Sequence, residues 1–268
     1  MAGWVGFIGL GALGAPVAAN LLDAGCALRV HNRSPAKADP LIARGAVWAP
    51  RPADALTPGG IVATLLWDDA SVEEVVRSDG FLARLGEGGV HISMSTISPE
   101  GARALAALHA AHGSHLVEAP IFGVPAAAVA RKLWMPIAGP KAAKDRVGPL
   151  LEAMGAQGMF DFGEEPGAAV TVKLAGNFLI IAAGAALTEA LALARGQGVA
   201  PQAVVDMLTA TLFPTPIYQT YGRAIAEGAA ARPRSPIPGK DLGLFRNTAA
   251  ASASPTRLAD LLLEMAKT

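Results

Sequence analysis

The stretch Trp4-Val-Gly-Phe-Ile-Gly-Leu-Gly-Ala-Leu-Gly-Ala-Pro-Val-Ala-Ala-Asn20 decides the fold. Its apolar start reads as a buried strand, its glycines as a tight turn, and its tail as the opening of an amphipathic helix. The turn has the form Gly9-x-Gly11-x-x-Gly14, with Leu10, Ala12 and Leu13 between the glycines. In such a turn the first glycine lets the chain leave the strand sharply. The second presents bare backbone to a pyrophosphate, and the third lets the helix pack close to the sheet. The free N–H groups and positive dipole end of the helix then face the phosphates. The helix extends to Gly25, ahead of a second strand from Ala27 to Asn32. Strand, glycine turn, helix and strand in that order predict dinucleotide binding rather than an incidental turn.

The end of the second strand bears on which dinucleotide. The residue there, about 20 positions past the glycines, meets the adenine ribose, and an acidic residue would accept from its 2′-hydroxyl. This chain has Asn32-Arg33-Ser34 instead, with Lys37 beyond. A guanidinium and a hydroxyl suit a 2′-phosphate and no carboxylate repels it, so NADP(H) is expected over NAD(H). The alternative is that Arg33 is a solvated loop charge.

The apolar run Gly60–Leu66 is expected as a strand buried on both faces, with Leu65 and Leu66 at its cofactor end. Asp68, Asp69 and Ser71 offer caps for a helix over Val72–Leu85. Val90–Met94, Leu116–Pro120 and Leu133–Ala138 read as further strands, and Pro99–Ala111 as a helix capped by Ser98. From Pro166 onward only helices are expected: Gly167–Gly198, about 30 residues or ~45 Å long, then Pro201–Thr211, Ile217–Glu227, Lys240–Ala251 and Pro255–Lys267. Gly228–Pro238 reads as a loop. The predicted class is α/β. A Rossmann-type, doubly wound parallel sheet over 1–163 is followed by an all-helical C-terminal domain over 164–268, joined by the long helix.

Composition narrows the possibilities. Net charge is zero and 52% of the 268 residues are hydrophobic, which argues against nucleic acid or an anionic membrane as the main partner. A single cysteine, Cys26, excludes an internal disulfide framework and reads as a small buried residue. The first strand begins with no basic segment before it, so no signal peptide is expected and the cytoplasm is the expected compartment. The apolar run Leu174–Thr188 reads as too short and too interrupted for a membrane span. A long helix apolar nearly all round needs cover on several sides, and a homodimer is expected.

Lys173 and Asn177 lie four apart near the start of that helix, so their side chains share one face. Apolar neighbours would desolvate the amine toward the range useful for proton transfer. Spacing alone leaves a second reading open, in which Lys173 snorkels to solvent and Asn177 is a tolerated polar residue. His109, His112 and His115 read as a solvated helix end rather than a metal site, and the acidic pairs as caps and surface charge.

These segments together resemble the β-hydroxyacid dehydrogenase family, the group that contains 3-hydroxyisobutyrate dehydrogenases and glyoxylate/succinic semialdehyde reductases. The resemblance runs from Phe7 to about Leu263. It is carried by Gly6–Gly14, Ser95-Thr-Ile-Ser-Pro99, Glu118-Ala-Pro-Ile-Phe-Gly123, the helix from Gly167 through Lys173 to Asn177, and Lys240-Asp241-Leu242. It implies hydride transfer between a nicotinamide and the carbonyl or hydroxyl carbon of a small molecule. Lys173 would be the general acid/base and Asn177 its orienting partner. Thr96 and Lys240 would contact cofactor, while Ser95, Phe122, Gly123 and Val124 would line the substrate position together with Lys173 and Asn177.

The family's substrate loop usually reads Asp-Ala-Pro-Val-Ser-Gly-Gly, its serine and following N–H groups holding a carboxylate. Here Phe122 offers no donor and Pro125 lacks an N–H. Carboxylate binding by the Gly123 N–H and Lys240 stays open beside a bulkier or less polar carbonyl substrate. The chain ends early for the family, and a reduced final helix is expected. Two rival readings remain. An imine reductase would share fold and cofactor; Phe122 favours it and Lys173 opposes it. A non-catalytic NADPH-binding module is opposed by Lys173, Asn177 and Lys240 together.

Overall fold

The computed structural model describes residues 3–228 and 236–266; most of the expected 228–238 loop therefore lies outside the described residues. The chain forms two compact units, Met1–Lys173 and Leu174–Thr268.

In the first unit, strands β1 (Trp4–Ile8), β2 (Ala27–His31), β3 (Val47–Trp48), β4 (Ile61–Thr64), β5 (Val90–Ser93) and β6 (His115–Glu118) pair in parallel in the order β3-β2-β1-β4-β5-β6. That is the dinucleotide-binding order, with its topological switch between β1 and β4. Helices α1 (Gly14–Asp23), α2 (Asp39–Ile42), α3 (Asp69–Val76), α4 (Phe81–Leu85) and α5 (Pro99–Ala110) connect the strands. Alternation along β1 sends Phe7 into one core with Val17, Leu21 and Leu28, and Ile8 into another with Val62, Val72 and Phe81. A sheet covered on both faces explains why its strands read as continuous apolar runs. Cys26 is buried in the first core.

The structure corrects several local expectations. The helix expected over 72–85 is two, α3 and α4, because Gly80 takes a left-handed conformation at φ +77° and breaks the run. Asp68 does cap α3, accepting from Ser71 N at 2.9 Å. After α6 (Pro125–Val129) comes β7 (Leu133–Ile137), which does not join the main sheet. It pairs in parallel with β8 (Ala156–Asp161) across α7 (Lys141–Met154), elements absent from the sequence reading.

Polar groups inside this unit form a chain. Thr64 Oγ1 lies 2.8 Å from His91 Nε2, His91 Nδ1 lies 2.9 Å from His109 Nε2, and His109 Nδ1 lies 2.9 Å from Ser114 Oγ. Ser114 Oγ in turn donates to the His109 carbonyl. His109 is therefore fully buried, not the solvated helix end expected. With both rings neutral, the chain is joined when Thr64 donates to His91, His91 Nδ1–H to His109 and His109 Nδ1–H to Ser114, and the reversed tautomers join the same atoms. Burial holds the His91 pKa well below the ordinary imidazole range, with His109 adding to it. His109 is lowered to about 4 by burial first, then by the charges of His112 and His115.

The long helix α8 runs from Ala168 to Gly196. The division between units falls inside it, at Lys173, whereas the sequence reading places the boundary before it, at 163/164. The reason is local. Ala169 and Val170 are completely buried, and Val170 joins the second core of the first unit. By length and composition α8 is long and apolar enough to cross a membrane, because its apolar character continues past Thr188 through Leu191 and Leu193. The length argument against a span is thereby corrected. The second unit also contains α9 (Pro201–Ala210), α10 (Pro216–Ala226), α11 (Ile237–Ala251) and α12 (Arg257–Met265). Gly222 lets α9 and α10 approach closely, since a Cβ there would stand 2.9 Å from Val205 Cγ1.

Candidate active site

The glycine turn follows β1, at the C-terminal edge of the sheet. Gly9 has φ +102°, and a Cβ there would lie 2.2 Å from the Leu65 carbonyl oxygen. A Cβ on Gly14 would lie 2.0 Å from the Gly9 carbonyl oxygen. These two glycines are required by the packing of the turn itself. A Cβ on Gly11 would meet nothing within 4 Å, so its absence keeps space open in front of the backbone. No side chain caps the N-terminus of α1. Open space at Gly11 and an uncapped helix end fit a bound pyrophosphate, with Leu10, Ala12 and Leu13 in the same turn.

Asn32 ties this turn to β2, its Oδ1 accepting from Leu10 N at 2.9 Å and its Nδ2 donating to Ser34 O at 3.0 Å. Asn32 thus holds the loop, while Arg33 and Ser34 beside it are exposed. Across the switch point, Leu65 N donates to Ile8 O at 2.9 Å and Leu66 N to Ser95 Oγ at 2.8 Å. Ser95, expected at the substrate, is 1% exposed, and its hydroxyl braces the Leu65–Leu66 edge. Thr96 beside it is half-buried. Asp69, read from sequence as cap or surface charge, accepts from Ser98 N at 3.0 Å and Ser98 Oγ at 2.5 Å, and so fixes the segment around Thr96.

Glu118 ends β6, and its buried carboxylate accepts from Gly167 N at 2.5 Å and Val170 N at 3.1 Å. It thereby caps α8, a role the sequence reading did not assign because its partners lie about fifty residues away. Burial raises its pKa, opposed by the backbone N–H groups it accepts from and by the charge of Arg103. One turn into α8, Lys173 is 7% exposed, and its Nζ stands 4.2 Å from the centre of the Phe122 ring. Snorkelling to solvent is excluded for this lysine.

Phe122 is held by its own backbone, donating to Trp134 O at 2.8 Å and accepting from Trp134 N at 3.0 Å. Gly123 and Val124 follow at the exposed start of α6.

In the helical unit, Asn177 Nδ2 donates to Asp241 Oδ2 at 2.6 Å, and Lys240 Nζ lies 2.9 Å from Asp241 Oδ1. Asp241 is 4% exposed and joins two of the expected site residues. Only its place beside Lys240 in the motif hinted at this. The neighbouring Phe178 and Phe245 rings stack at 4.2 Å.

Comparison with known proteins agrees with this geometry. Residues 4–170 match the family described as the NAD binding domain of 6-phosphogluconate dehydrogenase. Residues 167–268 match the family described as NAD-binding of NADP-dependent 3-hydroxyisobutyrate dehydrogenase. An NAD-dependent L-serine dehydrogenase of Pseudomonas aeruginosa is 32% identical, the match covering 97% of this chain and 90% of that protein. Among solved structures, a Mycobacterium tuberculosis 3-hydroxyisobutyrate dehydrogenase with L-serine superposes with a TM-score of 0.86 at 27% identity, covering 100% of this chain and 93% of that one. A Streptomyces aurantiacus imine reductase superposes with a TM-score of 0.70 at 26% identity, covering 99% and 93%. The two family matches cover the chain from β1 to its end and overlap where Glu118 caps the lysine-bearing helix. The chain therefore belongs to the β-hydroxyacid dehydrogenase family of NAD(P)-dependent oxidoreductases.

Proposed function

We propose that this protein is an NADPH-dependent oxidoreductase acting on a small aldehyde, ketone or hydroxyacid, with Lys173 as general acid and base. The observation that carries the reading is the buried Lys173 ammonium on a helix whose start is held by Glu118. A nicotinamide cofactor supplies or receives the hydride when bound. Gly9, Gly11 and Gly14, with the N-terminus of α1, would hold its phosphates. In reduction, Lys173 donates a proton to the carbonyl oxygen as negative charge develops there, and its ammonium stabilises that charge. In oxidation, the neutral amine takes the hydroxyl proton. Asn177, a turn further along α8, would orient the substrate oxygen, and Lys240 would contact cofactor.

The preference for NADPH rests on Arg33 and Ser34 at the end of β2, where no carboxylate opposes a 2′-phosphate. Replacing Lys173 with Met tests the chemical role. Turnover should fall at least a hundredfold while NADPH affinity changes less than about threefold; turnover within a few-fold of wild type would sink the assignment.

An imine substrate is the second reading, favoured by the aromatic ring at 122 and the likeness to an imine reductase. Turnover of a cyclic imine without turnover of any carbonyl compound would establish it in place of the first. We also propose a homodimer assembled through the helical unit, which exposes Leu179, Leu193, Met207 and Leu212.

A further inference from the structure

We infer that Phe122 determines specificity, selecting neutral carbonyl compounds over carboxylate-bearing ones; this rests on the carbonyl-reductase reading above. The ring face lies 4.2 Å from Lys173 Nζ, so one side of the ammonium is covered by π density. That face carries the negative lobe of the ring quadrupole, which attracts the lysine and sets a local repulsion against the pull of its ammonium on an anion.

The loop offers little to offset that repulsion. Phe122 has no side-chain donor, its N–H is taken by Trp134 O, and Pro125 has no N–H at all. Across 122–125 this leaves at most the N–H groups of Gly123 and Val124. A carboxylate leaving water needs several well-placed donors to recover its hydration.

The backbone that carries the ring is also held. Trp134, its backbone partner on β7, packs against Phe160 of β8 with ring centres 5.9 Å apart. A Cβ on Gly123 would come 2.5 Å from Leu133 Cδ2, so a side chain at the next residue would have to displace buried Leu133. An apolar ring on a held backbone, with no side-chain donor, suits an aldehyde or ketone whose substituents are uncharged.

The test compares succinic semialdehyde with its methyl ester, which differ in charge at one end and share the reacting aldehyde. In each, the carbonyl carbon gains hydride and its oxygen a proton as NADPH becomes NADP+, followed as loss of nicotinamide absorbance. The wild-type protein should favour the ester by at least about tenfold in kcat/KM. Phe122→Ser should shrink that ratio by about tenfold or more, with most of the change in KM for the acid. Equal or better use of the acid by the wild-type protein would overturn the inference, as would a ratio unmoved by Phe122→Ser. Should that variant fail to fold, Phe122→Leu removes the π face at similar volume. It should narrow the ratio about threefold, and an unchanged ratio there counts against the inference. Absence of turnover with both compounds would sink the reductase reading and this inference with it, whereas acid-preferring turnover would sink only the inference.

Discussion

The chain from Thr64 through His91 and His109 to Ser114 is buried with both rings neutral, and acid must place a charge inside it. A proton added to His109 would be a charge held away from solvent. His109 is lowered to about 4 in the folded protein, and the unfolded chain titrates near 6.5. The folded state therefore binds the proton less readily. The contribution of His109 to stability is complete above about pH 6.5 and is lost as pH falls toward 4. At 1.36 kcal/mol per unit, the loss is about 2 kcal/mol by pH 5 and roughly 3 by pH 4. His91 is shifted in the same direction and adds to it. All four tryptophans, at 4, 48, 67 and 134, lie in the first unit, so their fluorescence reports its unfolding alone. Urea unfolding followed this way should lose about 2 kcal/mol or more between pH 7.5 and 5. His109→Gln keeps one acceptor and one donor but cannot titrate, and should flatten that slope by about 2 kcal/mol. An unfolding free energy constant to about 0.5 kcal/mol over that range, or an equal slope in the variant, would refute the argument.

Other expectations can be checked at the bench. Gly11→Ala should keep the melting temperature within a few degrees yet weaken NADPH binding at least tenfold in a fluorescence titration, because its Cβ enters open space in front of the turn. Gly9→Ala should instead destabilise the fold by several kcal/mol in the same urea assay, because it combines φ +102° with a 2.2 Å clash. Arg33→Ala should raise the Kd for NADPH roughly tenfold or more while leaving NADH nearly unchanged, since one charge-assisted contact to phosphate is lost; equal losses for both cofactors would remove Arg33 from that role. Light scattering should return about twice the 27.2 kDa chain mass, and a monomer would dismiss the proposed assembly.

The readings that held in the nucleotide-binding unit were those whose physics is local. Gly9 and Gly14 are demanded by atoms of the same turn and its immediate neighbour strand, so their spacing announces them. Ser98 and Asp68 cap the helices they precede, three residues from the N–H groups they accept. What stayed hidden depends on distant partners. Asp69 finds Ser98, Glu118 finds Gly167, and Asn177 finds Asp241 across 29, 49 and 64 residues. The apolar run makes Leu133–Ala138 a strand but cannot say which sheet receives it. Its partner β8 lies beyond α7, a helix that carries Pro149 in its interior. His109 misled for the same reason, since a histidine in a last helical turn looks solvated until His91 is placed beside it.

The cap made by Glu118 has an evolutionary consequence. Glu118 fixes where α8 starts through main-chain N–H groups only, and those are present whatever side chains the helix carries. Four residues later the same loop presents Phe122, whose place is fixed by main-chain bonds to Trp134. Neither anchor depends on which side chain occupies position 122. Selection can therefore exchange that side chain while the lysine keeps its address. A single codon would then be enough to vary the side chain beside Lys173 without moving the helix that carries it.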